Sequence, residues 1–504
     1  MGIAVLDVGT SSMRGILYDD KGQKLFTKQI EYTPIYLEHD WVEQNPSDWK
    51  CAMEVSMKAC AVFAKERGEN IRAVSLTSQR SSVIPIGKGG TPVGNAIMWQ
   101  DKRVLEVLKE LSPCHSRIFQ LTGSRVNPVF SGSKMMWIRK CSPHLYEQAE
   151  RLVVIPDYLI HEMTGNWVTD ATYGSRSLLM NLRTRQWDDE LLELFQVEKE
   201  KLCSIIEPGS IAGRVSQACS RVTGLEEGTP VITAGGDQQC AALGMGMTRQ
   251  GAIEVSAGTG AYIIGALKRV PDHLKEDVIC NASAIPGEYV LESSILSCAS
   301  VFNWILRLCY GMNGENRKET YQIVNREVEE SLKKEDDLMM LPFFQGRGTP
   351  DWNSKARGCF HNLTLGTEPG DMARAVMEGL GYEISANIDR IKNYVGEIEN
   401  IYACGGLVNS PVFGRILASI CNSGICTYQD NEAAAIGAWM SAGVELGLYP
   451  DYDSAFWQGR QGHPVNQIEA DCELKKRYGE GKEKYSQLYS RLYGKALERQ
   501  GGNG

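Results

Sequence analysis

The sequence predicts an α/β protein made of two like domains, and three observations carry that prediction. The first is a short apolar run at 230–234 that reads as a buried strand, followed by Gly235, Gly236, Asp237 and a stretch of small residues to Gly244 that suits a closely packed helix. The second is a pair of apolar strands, 3–8 and 13–18, joined by the tight turn Gly9-Thr10-Ser11-Ser12. The third is the return of that pattern at 253–264 around Gly258-Thr259-Gly260, close to half the chain later. Two domains of similar build, divided as 1–248 and 249–504 with an accessory tail from about 469, are the simplest account.

Each element suggests chemistry. The turn at 235–237 presents Asp237 at a strand's carboxyl end, where open α/β sheets bind ligands, and a carboxylate beside a helix N-terminus stays ionised, able to accept a proton or face a metal. The same residue would also serve as a plain helix cap. In the first hairpin, backbone amides and the hydroxyls of Thr10, Ser11 and Ser12 line one concavity suited to phosphate oxygens, Asp7 is placed to hold a hydrated Mg²⁺, and Arg14 adds a charge. Its counterpart at Gly258 and Thr259 has Ser256 where the first has Asp7, so one side alone supplies the metal-facing carboxylate.

Between the hairpins a helix is expected from Pro46 to about Arg67, then a strand at 73–77 running into Gln79-Arg80-Ser81-Ser82. Trp99 offers a flat apolar face to the carbon side of a polyol or sugar, with arginine to bond hydroxyls. The segment from Phe130 to Ile138 reads as a loop feeding a helix, and 341–350 as an irregular loop able to close over a ligand. Met372, Val376, Leu380, Ile384 and Ile388 form a core-facing stripe. The strand ending at Cys404 meets Gly405-Gly406, a turn against which a purine can lie flat, with Ser410 just beyond. In the tail, Tyr485, Leu488, Leu492 and Ala496 share one helical face, and 501–504 are expected to be disordered.

Composition bounds the partners. With 504 residues the chain buries large cores unaided. Its 53 basic residues against 62 acidic ones give a net charge of −9, so no basic field exists to draw nucleic acid or an anionic membrane. Fifteen cysteines, without C-x-x-C spacing, read as reduced core thiols such as Cys240, Cys298 and Cys404 in a cytoplasmic protein. A strand from Ile3 leaves no signal peptide to expect, and no apolar run has membrane-spanning length.

These stretches together resemble the FGGY carbohydrate kinases, and within them the glycerol kinases most closely, to about Tyr449. The resemblance rests on the segments from Asp7 to Arg14, Thr77 to Arg80, Asn95 to Gln100, Phe130 to Lys134, Ala234 to Gln239, Gly258 to Gly260 and Cys404 to Gly406. It implies an actin-like fold of two ribonuclease-H-type domains facing a central cleft, with ATP and Mg²⁺, and transfer of the γ-phosphoryl to a hydroxyl of a small sugar or polyol. On that likeness Asp237 is the general base, Asp7 the metal-side carboxylate, and Thr10, Ser11, Ser12 and Thr259 the phosphate grips. Gly406 and Ser410 line the adenine pocket, and Arg80, Trp99, Asp237 and Gln238 hold the acceptor. A homodimer is the assembly left open.

Two positions depart from the glycerol kinase pattern. Ser81 stands where those enzymes have glutamate, and Val129 where they have tyrosine. Two hydrogen-bonding groups are lost and room is gained, which favours an acceptor other than glycerol. A glycerol kinase proper and a ketopentose kinase are the alternatives, although the Met-His-Gly signature of the latter is replaced by Arg80-Ser81-Ser82. A non-kinase ATPase of the same superfold is a further one; it needs no acceptor pocket.

Overall fold

The computed structural model describes residues 2–428, 432–461 and 465–494. The chain forms two compact units, Met1–Arg249 with Ala266–Val290 and Asp430–Gly462, and Gln250–Gly265 with Leu291–Gln429 and His463–Gly504. A contiguous division at 248/249 differs from these units in two returns of the chain. The helix Ala433–Glu445 packs on the first unit's sheet, where Ser75 Oγ donates to the Ala438 carbonyl at 2.6 Å, and Cys280 N–H reaches the Gly123 carbonyl at 2.9 Å. A single cut in the sequence cannot describe a chain that comes back.

In the first unit, strands β1 (Gly2–Val8), β2 (Ser12–Asp19), β3 (Lys24–Glu31), β4 (Ile71–Ser78), β5 (Ser210–Arg214) and β6 (Pro230–Gly236) form one sheet in the order β5-β6-β4-β1-β2-β3. β1, β4 and β6 run parallel, with Val8 and Gly236 both paired to Ser78. Their carboxyl ends therefore finish level at one edge, and the residues that follow are Gly9-Thr10, Gln79-Arg80 and Asp237. Alternate side chains face opposite ways along a strand. Ala4, Leu6, Val8, Val74 and Leu76 join a core with Trp49, Met53, Met57 and Cys60 of the helix Pro46–Glu66, which Asn45 caps by accepting from Ser47 N–H. A second sheet of short strands, Ile35–Tyr36, Val42–Gln44, Ala96–Ile97, Val83–Ile86 and Arg151–Val154 in spatial order, carries Trp99 just past one strand.

In the second unit, β7 (Ala252–Ala257), β8 (Ala261–Leu267), β9 (Tyr289–Ile295), β10 (Asn400–Cys404), β11 (Ile425–Tyr428) and β12 (Val465–Ile468) follow the order β9-β8-β7-β10-β11-β12. The expected stripe on the helix Pro369–Val395 buries Val376, Leu380, Ile384 and Ile388. The segment 341–350 is pinned: Thr349 donates to Asn387 Oδ1 at 2.8 Å, and a Cβ on Gly348 would lie 2.2 Å from the Ser294 carbonyl.

The tail helix Cys472–Tyr489 buries Tyr485 and Leu488, but Leu492 is exposed. The helix widens into a π-turn at Ser490–Gly494, which shifts the register and breaks the four-residue stripe. Ala496 and 501–504 lie outside the described residues. No helix among the described residues is long and apolar enough to cross a membrane.

Candidate active site

The first hairpin is tightly organised. Gly9 N–H closes the turn on the Ser12 carbonyl at 2.9 Å, while the Gly9 carbonyl accepts from Tyr32 Oη at 2.6 Å and from Gln79 Nε2 at 3.1 Å. The Thr10 hydroxyl donates to Gln79 Oε1 at 3.4 Å and accepts from the Trp99 indole N–H at 3.2 Å. Ser11 is exposed and Ser12 half-buried. Asp7 lies opposite Arg14 across β1 and β2, and their side chains form an ion pair at 2.5 Å. Burial, the dominant influence, pushes the Asp7 carboxyl above its ordinary range; Arg14 opposes this, and the nearby Glu432 reinforces it. Glu432 also pairs with Lys24 at 2.8 Å.

Asp237 is held by a buried frame. Gly235 adopts φ 115°, a left-handed value that favours glycine, and its carbonyl accepts from Thr77 Oγ1 and Tyr173 Oη, both at 2.8 Å. Gly236 N–H donates to Thr172 Oγ1 at 2.9 Å, and a Cβ at Gly236 would stand 2.6 Å from Arg80 Cδ. Behind them the fully buried Asp170 accepts from Thr172 Oγ1 at 2.5 Å and from the Thr233 hydroxyl. The cap of the helix Asp237–Gly244 is Gly236, so Asp237 is the first helical residue and not the cap. Its Oδ1 accepts from Gln238 N–H at 2.8 Å and lies 3.6 Å from Arg80 Nε.

The Asp237 side chain keeps 37% exposure on its open side, while the protein crowds the rest. Desolvation there raises its carboxyl above the usual range, against the pull of Arg80 and, more weakly, Arg176. Arg80 is buried and donates to Gln239 Oε1 at 3.1 Å and to Gln238 Oε1. The helix can sit this close to its neighbour because Gly244 and Gly437 lack side chains: a Cβ on either would reach within 2.0 Å of the opposing backbone.

The two departing residues have different partners, Ser81 the backbone of Arg176 and Val129 a buried lysine. Ser81 is buried at φ 73°, and its hydroxyl donates to the Arg176 carbonyl at 3.3 Å. Val129 is half-buried, and its carbonyl accepts from Lys134 Nζ at 2.9 Å. Lys134 is fully buried, and desolvation pushes its ammonium down to about 7. The Arg176 guanidinium lies over the Phe130 ring, 4.5 Å from its centroid. Sequence reading passed over Arg176, which leaves a five-residue helical turn with no local pattern to mark it. Trp99 is 36% exposed, its backbone N–H bonded to Ser82 Oγ at 3.0 Å.

In the second unit the Gly258–Gly260 turn is braced from behind. The Thr259 carbonyl accepts from Cys298 N–H at 2.8 Å and Ser300 Oγ at 2.9 Å, and that of Gly258 from Ala299 N–H at 2.9 Å, while Thr259 itself is exposed. Gly405 has φ 102°, and a Cβ there would meet the Ala257 carbonyl at 2.3 Å; Gly406 faces open space. Ser410 is a buried helix cap that donates to Asn325 Oδ1 at 2.7 Å and accepts from Phe413 N–H at 3.3 Å. Among the described residues no group of three or more His, Cys, Asp or Glu side chains is arranged to hold a metal by itself.

Residues 2–244 match the N-terminal domain, and residues 253–446 the C-terminal domain, of the FGGY family of carbohydrate kinases. The glycerol kinase of Thermococcus onnurineus is 30% identical over 470 residues, 91% of this chain and 90% of that protein. That of Mycoplasmoides gallisepticum is 29% identical over 474 residues, 89% and 90% respectively. A xylulose kinase structure from Rhodospirillum rubrum superposes with a TM-score of 0.90 at 21% identity, covering 98% of this chain and 99% of that one. Plasmodium falciparum glycerol kinase with ADP superposes at 0.86 and 24% identity, covering 98% of each. The fold is the two-domain actin-like ATPase fold of these sugar kinases. With both of its domains matched along most of its length, the chain belongs to the FGGY family of carbohydrate kinases, ATP-dependent enzymes that phosphorylate a hydroxyl of a small sugar or polyol.

Proposed function

We propose that Asp237 is the general base that takes the proton from the acceptor hydroxyl as the γ-phosphoryl of ATP is transferred to it. The observation that carries this reading is the convergence of Asp237, Arg80 and Gln238 at the level edge of three parallel strands, with the carboxyl raised by desolvation towards the working pH of a base. Arg80 and Gln238 orient the acceptor, Trp99 supports its carbon face, and the Trp99 to Thr10 hydrogen bond ties that platform to the phosphate turn. Phosphoryl transfer depends mostly on such positioning and charge.

Thr10, Ser11 and Ser12 in one hairpin, with Arg14 beside them, and Gly258 and Thr259 in the other, hold the phosphates of ATP. Gly405 and Gly406 take the adenine side, and Ser410, whose hydroxyl is already engaged, contributes by fixing the turn between them. Mg²⁺ fits beside Asp7: burial leaves that carboxylate short of compensating charge, one arginine is its charged partner, and a hydrated ion needs few protein ligands. Asp7 would hold the ion, with Asp237 as the second carboxylate of the set, and the bound ion would supply neutralisation of phosphate charge.

The acceptor is a four- to six-carbon sugar or polyol that fills the room left by Ser81 and Val129. Glycerol would lose one or two hydrogen bonds, each worth about 0.5–1.5 kcal/mol. Acceptor-stimulated ADP release across polyols, ketoses and sugar acids tests this. Glycerol is expected to have kcat/KM at least about tenfold below the best acceptor, and Ser81→Glu with Val129→Tyr to raise glycerol use while lowering that of the preferred acceptor. Efficient phosphorylation of glycerol by the unmodified protein would make it a glycerol kinase with a relaxed pocket.

A further inference from the structure

We propose that Asp170 and Thr172 are positioning residues for Asp237: the Asp170 carboxylate fixes the Thr172 hydroxyl as an acceptor for Gly236 N–H, and that bond holds the aim of the base. The inference rests on the reading of Asp237 as the general base and adds to it what keeps that carboxylate pointed at the acceptor.

Asp237 hangs on a pair of glycines, and glycine resists few backbone rotations. The sheet does not hold them alone, because the ladder between β6 and β4 shifts register between Thr233 and Gly235. The helix does not hold them either: its cap is Gly236, which has no side chain to bond the first turn. The peptide plane between Gly235 and Gly236 is instead gripped at both ends by other elements. Its carbonyl accepts from Thr77 Oγ1 and Tyr173 Oη, both at 2.8 Å, and its N–H donates to Thr172 Oγ1 at 2.9 Å. The N–H grip needs a hydroxyl that offers a lone pair rather than its proton. A threonine hydroxyl has a single proton, and here Asp170 Oδ1 takes it at 2.5 Å. Asp170 Oδ1 also accepts from Thr172 N–H at 2.8 Å, and Oδ2 accepts from the Thr233 hydroxyl. A plain helix cap accounts for the bond from Thr172 N–H and not for the two hydroxyls, both of which tie the short helix Ala171–Ser175 to the strand of the base. A carboxylate as deep as Asp170 is costly to bury, and what it secures here is a peptide plane that cannot turn over beneath Asp237.

The test reads ADP release by the full-length protein with whichever polyol, ketose or sugar acid of the acceptor panel is turned over fastest. Thr172→Val removes the hydroxyl at nearly constant volume and should lower kcat about 10- to 100-fold, the cost of a misplaced group, with the KM of ATP and of the acceptor kept within about threefold. Thr172→Ser keeps the hydroxyl and should restore most of the rate. Asp170→Leu should reproduce the loss, and Asp170→Asn, whose oxygen can still accept from both Thr172 donors, should recover most of it. Thr223→Val is the matched control. That buried hydroxyl donates to the Cys219 carbonyl at 2.8 Å and accepts from Leu225 N–H at 3.3 Å, so its loss should lower stability and leave kcat within about twofold. In Asp237→Asn, where no base remains to be aimed, adding Thr172→Val should change the residual rate by less than about twofold. If Thr172→Val folds poorly, Thr172→Cys, with a thiol that is a weak donor and acceptor, carries the same comparison. An unaltered kcat in Thr172→Val, Thr172→Ser as slow as Thr172→Val, or an equal fall in the Asp237→Asn background would overturn the inference and leave the base assignment standing. Near-full turnover by Asp237→Asn would instead overturn the reading of Asp237 on which it rests.

Discussion

The two hairpins are built on one frame and carry their ionisable groups at different places. In the first unit Val8 pairs with Met13 around Gly9–Ser12, and in the second Ala257 pairs with Ala261 around Gly258–Gly260. Each first strand has a parallel neighbour whose following turn supplies a site: Val8 beside Ser78, then Gln79 and Arg80; Ser256 beside Cys404, then Gly405 and Gly406. Near the turn, however, the first hairpin pairs Asp7 with Arg14, where the second pairs Ser256 with Tyr262. Two residues earlier the pattern reverses, with the apolar Val5 in the first and the buried Glu254 in the second. One frame thus carries an ion pair beside the turn in the first unit and an uncharged pair in the second, matching the two tasks proposed for them.

The sharpest way to break that division is to remove the base proposed for the first unit. Asp237→Asn keeps the shape of the turn and the acceptor for Gln238 N–H, so kcat should fall about 10²–10⁴-fold, the usual worth of a positioned base, while ATP still binds. Near-full turnover would take the chemistry away from this edge of the sheet. Next in size is the direct comparison of the hairpins. Asp7→Ala should lower kcat/KM about 10- to 100-fold at limiting Mg²⁺, the range typical of groups that orient a metal, and part of the loss should return as Mg²⁺ is raised. Ser256→Ala at the equivalent place should change it only a few-fold at any Mg²⁺. Equal losses, or a loss at Asp7 indifferent to Mg²⁺, would mean that the two hairpins are not divided in this way.

A third comparison lies within the second unit's own turn. Gly405→Ala must both hold φ near 102° and bring a methyl within 2.3 Å of the Ala257 carbonyl, so it should cost about 1–3 kcal/mol of stability and raise the KM for ATP. Gly406→Ala adds its methyl to open space and should alter the KM for ATP with stability kept within about 0.5 kcal/mol. Thermal unfolding beside ATP saturation curves separates the two, and equal destabilisation would refute the close approach of Gly405 to β7.

What the sequence revealed follows from where each signal is stored. Both hairpins, the helix from Pro46 and the stripe on Pro369–Val395 are written in local periodicity and turn residues, and the structure has them within a few residues. The returns of the chain at Ala266–Val290 and Asp430–Gly462 were not legible, because packing against a distant sheet leaves no local mark. Arg176 and Glu432 were missed for the same reason: each acts on a strand end or loop far away in sequence. Leu492 was misplaced because a π-turn leaves no trace in a four-residue stripe. Asp237 was recognised through its glycines, yet its freedom from a capping role depends on Gly236 taking that role, which only backbone geometry reveals.

The smallest expected effect concerns the buried carboxylate of the second hairpin. Glu254 is 3% exposed, its Oε1 accepts from Cys404 Sγ at 3.8 Å, and its Oε2 has no hydrogen-bond partner among the described residues. Burial pushes its carboxyl up to about 7, Cys404 opposes the shift and Glu292 adds to it. The folded protein therefore keeps a proton that the unfolded chain gives up near 4.5. A group whose folded value is raised contributes stability that is fully present below the unfolded value and is lost as pH climbs through the folded one. Between pH 4.5 and 7 the native state should weaken steadily on this account, and above 7 it must either bury an anion or spend free energy holding the proton. Glu254→Gln removes the titration and preserves the shape, so the variant should be more stable than the unmodified protein by about 1–3 kcal/mol at pH 8, with the gap closing towards pH 4.5. Urea unfolding at pH 5, 6.5 and 8 reads that difference directly. A gap that does not vary with pH would mean that Glu254 is ionised in the fold, and the difference between the two hairpins would then extend to a second buried anion.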